Sequence, residues 1–196
     1  MAKKRTNPEH SRETIIGAAL SLVGRRGAGE VTVADVATEV GCAKGLVHYH
    51  FKSKQRLWEA VAIELAADRL SRWTDAMKEA SPRDAIDATW NLLIGESASG
   101  VLLAWTTLFG PGGHVPDQRV SETHRSFSQA LGRAARQMLE RSGERVRIPE
   151  SELGLLLGAI VNGMGFQLLG GADRRELEGS YAATWLGILS FAEPTS

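Results

Sequence analysis

Lys44, His48, Tyr49, His50 and Lys54 crowd into one short stretch, interleaved with Gly45 and Leu46. On a helix Lys44 lies one turn from His48 and Gly45 one turn from Tyr49, so these four share an outer face, while Val47 and Phe51 turn inward together. Ammonium and imidazole N–H groups hold phosphates, and a position without a side chain lets the helix backbone come close to bases. Other chemistries find little to work with. His48 and His50, two apart, diverge on a helix, and five scattered histidines with a single cysteine, Cys42, show no CxxC or HExxH spacing. No metal, no cofactor and no internal disulfide are therefore expected, and Cys42 reads as a small packed residue rather than a redox thiol. There is no GxSxG, no Walker loop and no dinucleotide glycine pattern, and the GPGG run at 110–113 lacks the Lys-Ser/Thr of a phosphate cradle, so an enzyme is not expected.

A groove-binding face needs a rigid support. Thr32 followed by Asp35 is a capping pair, with the hydroxyl at N-cap and the carboxylate able to reach back to free N–H groups. Val33, Val36, Ala37 and Val40 then form one apolar stripe, and Gly41 can take the left-handed turn that ends the helix. A second short helix follows at once. Two short helices joined by a glycine turn, the second with a cationic and aromatic face, make a helix-turn-helix unit.

Apolar residues recur at helical spacing along the rest of the chain, and no alternating strand pattern persists. The reading is all-α, with about nine helices over 11–25, 33–39, 43–50, 54–79, 82–97, 99–109, 116–142, 149–170 and 173–192. Residues 1–9, the GPGGHVP loop at 110–116 and the terminal EPTS should be least ordered. The formal charge is zero, yet residues 1–56 carry ten basic and five acidic side chains and residues 57–196 thirteen and eighteen, so a +5 head joins a −5 body. That division suggests a DNA-binding domain at 1–56 and a second helical domain at 57–196. Apolar stretches are interrupted by Gly and Asn and the N-terminus has no apolar run, so neither a membrane span nor a signal peptide is expected and the protein should be cytoplasmic.

From Arg12 to about Val61 the sequence resembles the DNA-binding domain of the TetR family. The likeness rests on Ile15-Ile16-x-Ala18-Ala19, Gly27, Thr32-Val33, Val36-Ala37, Gly41, Gly45 and the run Tyr49-His50-Phe51 ending in Ser53-Lys54. It implies that Thr32 and Lys54 hold phosphates and that Lys44, Gly45 and Tyr49 face the groove. Ala43, Leu46 and His48 depart from the common pattern, which loses a hydroxyl at 43 and a tyrosine at 48. His48 would still donate to phosphate, more strongly when protonated, so binding should tighten as pH falls. The resemblance further implies a homodimer, a palindromic double-stranded DNA operator, repression as the commoner outcome, and a small-molecule effector.

The body after residue 57 resembles the family only in helical layout. Its penultimate helix has an apolar stripe, Leu153, Leu156, Leu157, Ile160, Val161, Met164 and Leu168, beside a track of Gly154, Gly158, Asn162 and Gly165 that would let another helix approach. The last helix repeats the pattern with Leu177, Tyr181, Thr184, Trp185, Ile188 and Leu189. These stripes would either pair with a symmetry mate in a four-helix bundle or serve the protomer's own core. Trp73, Trp90, Trp105, Phe109, Phe127 and Phe166, with His124 and Asn162 as polar partners, are candidates for a mostly apolar effector pocket. The alternative is a ligand-independent DNA-binding protein with a solid C-terminal core.

Overall fold

Side-chain caps at Thr32, Ser81 and Asp173 set the starts of three helices. In the computed structural model, which describes residues 8–194, with side chains from Arg12 onward, the order is α1 (Pro8–Arg26), α2 (Val33–Val40), α3 (Lys44–Phe51), α4 (Lys54–Lys78), α5 (Pro82–Ala98), α6 (Val101–Phe109) and α7 (Asp117–Arg141). A strand β1 (Glu144–Val146), α8 (Glu150–Leu169), α9 (Arg174–Leu189) and a strand β2 (Ala192–Pro194) complete the chain. Ser81 caps α5 by accepting from Asp84 N, with Pro82 opening the first turn, and Asp173 caps α9 by accepting from Arg175 N and Glu176 N.

The chain forms two compact units. The first runs to Leu65 and takes in Leu103–Pro116; the second holds Ala66–Leu102 and everything from Asp117. The boundary expected at 56/57 falls within α4.

In the first unit Ile15, Ala19 and Val23 of α1 meet Val36, Val47, Phe51, Leu57 and Val61 in a core closed to solvent. The 103–116 segment is fastened to it, because Ala28 N donates to Thr107 Oγ1 at 3.1 Å across the turn after α1. The GPGGHVP loop is accordingly not the loose segment expected from its composition. Gly113 N donates to Gly110 O at 2.8 Å, Val115 N to Leu108 O at 3.3 Å, and the Val115 side chain is buried.

The second unit packs α4, α5, α7, α8 and α9 around Trp73, Leu93, Leu131, Leu157, Tyr181 and Trp185. Its closest helix pair is α7 with α8, and the glycine track explains the approach. A methyl group at Gly154 would overlap the Ser128 carbonyl, and one at Gly158 would come within 2.5 Å of Ser128 Oγ.

Two expectations are corrected here. The terminal EPTS is not wholly free: β2 pairs antiparallel with β1, Glu144 opposite Pro194 and Val146 opposite Ala192, and Arg147 pairs with Glu193. This ribbon also ends α9 at Leu189 rather than 192. Three residues are too short a run for period-two alternation to show, which is why the strands escaped the sequence pattern. Residues 1–7 and 195–196, both expected to be loose, lie outside the described residues.

The second narrows an open choice: most of both stripes serves the protomer's own core, while Leu156 stays 40% exposed and Ile160 and Leu168 half-buried. Leu153, Leu157, Val161 and Met164 of α8, and Leu177, Tyr181, Trp185 and Ile188 of α9, are buried in the protomer itself. Another face of the same helices stays uncovered.

Candidate nucleic-acid interface

The support for the interface is fixed by hydrogen bonds that can be followed atom by atom. Thr32 Oγ1 accepts from Asp35 N at 3.1 Å, while Asp35 Oδ2 accepts from Thr32 N at 2.8 Å and from Thr32 Oγ1 at 2.8 Å. These bonds from Thr32, the backbone one first, hold the Asp35 carboxyl below the usual carboxylate range, and Arg26 adds to the effect. Its hydroxyl is thus engaged with Asp35 and is not a free donor. At the other end Gly41 is left-handed, φ 71°, and Cys42 N donates to Ala37 O at 2.9 Å, closing α2 and aiming α3 away from it. Cys42 is half-buried and free.

On α3, Val47 and Phe51 are 1% and 4% exposed and anchor the helix, whereas Lys44, Gly45 and His48 lie on the outside and Tyr49 is 66% exposed. Leu46 is at 36% and His50 is half-buried, so both flank this face rather than project from it. Gly45 is the informative position. A Cβ built there meets nothing within 4 Å, so no packing among the described residues calls for glycine. Ala43 occupies the N-cap of α3 without any side-chain bond, and its carbonyl accepts from Leu46 N at 2.8 Å.

Lys54 opens α4, half-buried, with its Nζ 5.5 Å from the centre of the Trp58 ring. Ser53 Oγ accepts from Arg56 N at 3.2 Å and caps that turn. The structure adds two cations that sequence reasoning missed. Lys52 sits in a left-handed conformation, φ 62°, with its Nζ 5.2 Å from the Tyr49 ring, and Arg12 lies 5.4 Å from the Phe51 ring beside His50. A lysine immediately after a short helix was the available signal for the first.

The residues expected to hold an effector do not come together as one group. Trp73, Trp90, Phe127 and Asn162 are in the second unit, where Trp73 Nε1 donates to Glu96 Oε1 at 2.8 Å. Arg69 Nε donates to Glu96 Oε2 at 2.8 Å, Arg69 Nη1 to Asn162 Oδ1 at 3.5 Å, and the guanidinium lies 4.8 Å from the Phe127 ring. Burial pulls Arg69 below the ordinary arginine range, with Glu96 opposing it. Trp90 packs at 5.5 Å against Tyr181, whose hydroxyl is bonded to Thr89 Oγ1 at 2.7 Å. Trp105 and Phe109 belong instead to the first unit, ring centres 4.6 Å apart. His124 is half-buried in a groove of α7 and α8 with Ser128 and Leu155, and Phe166 is 72% exposed. Phe166 is thus no core aromatic: α8 presents it, with Leu155, Ala159 and Gly163, on the face that this chain leaves open. Arg69 and Glu96 were missed as well. Their signal was positional, since Arg69 falls between Leu65, Trp73 and Met77 on a buried stripe and Glu96 falls three after Leu93.

Comparison with known proteins agrees with this geometry. Residues 15–61 match the family model described as bacterial regulatory proteins, tetR family. Over 176 residues the chain is 28% identical to the HTH-type transcriptional regulator BetI of Brucella canis, covering 88% of this chain and 86% of that one. The BetI of Agrobacterium fabrum is 30% identical over 117 residues, 58% of this chain and 54% of that one. Among solved structures, a TetR-family regulator from Rhodococcus sp. superposes with a TM-score of 0.73 at 18% identity, covering 92% and 98% of the two chains. A transcriptional regulator from Saccharomonospora viridis, solved in complex with choline, gives 0.67 at 21%, covering 89% and 95%.

Proposed function

We propose, from the premise that this chain is a TetR-family transcriptional regulator with a helix-turn-helix DNA-binding domain, that it represses transcription in the cytoplasm as an effector-responsive homodimer on a palindromic operator. Residues 1–56 bind DNA and residues 57–196 dimerise and sense the effector. One observation carries this reading: α3 turns Lys44, Gly45, His48 and Tyr49 outward from a support locked by the Thr32–Asp35 cap and the Gly41 turn, with none of the described residues covering Gly45. In the groove Lys44, Gly45 and Tyr49 meet bases or their flanking phosphates, with Leu46 and His50 at the edge, while Thr32, His48 and Lys54 hold the backbone.

Dimerisation is supported by the open face of the second unit. On α9, Gly179, Ala182, Ala183, Leu186 and Gly187 are all exposed, Leu186 at 68%, and a Cβ at Gly179 or Gly187 would meet open space. With Leu155, Ala159, Gly163 and Phe166 of α8 these make an apolar surface of small and large residues, suited to close packing on a second copy. By length and composition α8 could cross a membrane, but its other face is committed to α7 through Gly154 and Gly158, which suits a core helix.

The effector is small and mainly apolar. The aromatic side chains of the second unit support an apolar ligand, and the choline complex of the similarly folded regulator supports a small one. Binding acts by favouring a head spacing that no longer fits successive major grooves, about 34 Å apart. Selection of bound duplexes from a random pool tests the reading: a two-fold symmetric consensus is expected, and a pool that stays random overturns it.

A further inference from the structure

We propose that a groove of the second unit, between the C-terminal half of α4 and the outer face of α7, binds a small soluble oxyanion carrying at least two negative charges. Lys78 of α4 faces Arg133, Gln137 and Arg141 of α7 across a space of about 380 Å3. The α7 positions belong to one helical stripe, Ala130, Arg133, Ala134, Gln137 and Arg141, distinct from the stripe of Leu131, Ala135 and Met138 that is buried. The two alanines form a floor of methyl groups, and the polar side chains form the walls.

The charge placement is what calls for a ligand. Residues 57–196 are acidic overall, thirteen basic against eighteen acidic side chains, yet three cations converge here against one carboxylate, Asp75, which already accepts from Ser71 Oγ at 3.1 Å. Arg141 is fixed by donating from Nη2 to Met77 O at 2.8 Å, answering a carbonyl at the end of α4 and holding its guanidinium in place. Lys78 and Arg133 have no hydrogen-bond or ion-pair partner among the described residues. Exposed like charges around an apolar floor favour an anion between them, and guanidinium groups bond phosphate or carboxylate oxygens in pairs. A space near the lower end of the roughly 300–1,000 Å3 of small-molecule sites suits a small metabolite. Phosphorylated compounds and polycarboxylates share this chemistry.

Calorimetric titration of the full-length protein with pyrophosphate and, separately, with citrate distinguishes the two sources. The wild type should bind at least one of them at one site per chain. The exposed pair K78Q/R133Q should bind at least tenfold more weakly with an unchanged melting temperature, and K44A/K54A, which thins the basic head, should bind as the wild type does. Saturation by pyrophosphate alone marks a phosphorylated ligand, by citrate alone a polycarboxylate, and by both the shared class. No saturation with either, or binding lost in K44A/K54A and kept in K78Q/R133Q, overturns the site. None of these outcomes depends on operator recognition, so the two proposals fail separately.

Discussion

Arg69 and Glu96 meet at 2.8 Å with neither side chain reaching solvent, and they tie α4 to α5 inside the second unit. Glu96 is shared, accepting from Trp73 Nε1 as well, so removing its charge strands a buried guanidinium between two aromatic rings. Glu96→Leu is expected to destabilise the protein by about 3–5 kcal/mol, whereas the double change R69M/E96L should recover much of that loss. Urea unfolding of both variants checks this, and equal losses in the single and double variants would count against it.

Gly45 separates folding from binding. An alanine there gains helix propensity, worth about 1 kcal/mol, and meets no neighbour within 4 Å. Gly45→Ala should therefore melt no lower than the wild type yet bind operator at least tenfold more weakly, because the added methyl stands where DNA approaches. Unchanged operator affinity would remove Gly45 from the interface.

Lys54 and Tyr49 should fail in different ways. Lys54, at the start of α4, is assigned to phosphate, so Lys54→Ala should weaken every duplex alike and lower the salt slope by about one. Tyr49, on the exposed face of α3, should instead change which base is preferred when replaced by alanine. Binding titrations over several salt concentrations and a panel of single-base operator variants separate the two.

The helix-turn-helix was legible because its determinants are local. Thr32 and Asp35 are three apart, Gly41 has no side chain to oppose the left-handed turn, and Val47 and Phe51 are one helical turn apart, so nothing remote was needed to place them. The second unit was legible as helices but not as faces. Leu157 and Leu155 are the same residue type two positions apart, one 4% and the other 64% exposed, and only tertiary packing decides which is covered by its own chain. Phe166 is 72% exposed for the same reason, although its type favours burial. Arg69 and Glu96 were passed over because each looks like an ordinary surface charge until its register with Trp73 or Leu93 is counted.

The Thr32–Asp35 cap carries a pH signature. The Asp35 carboxyl is held below its ordinary value of 3.8, so its contribution is full above that pH and fades as the pH falls through the lower folded value. Thermal stability attributable to this cap should be flat from about pH 5 to 8 and decline only below about 4. Asp35→Asn should cost stability across the flat range and narrow its gap to the wild type in acid. A gap of constant size between pH 3 and 7 would contradict the assignment.

The account rests on two copies presenting α3 to one duplex. Sedimentation of the full-length protein with its pool-selected duplex reads this directly, with L186E/F166E as the comparison because both side chains are exposed on the open face of α8 and α9. The wild type should sediment as two chains per palindrome, and the variant as a folded monomer with markedly weakened operator binding. A wild-type monomer that leaves the duplex unshifted even at low ionic strength would contradict the account.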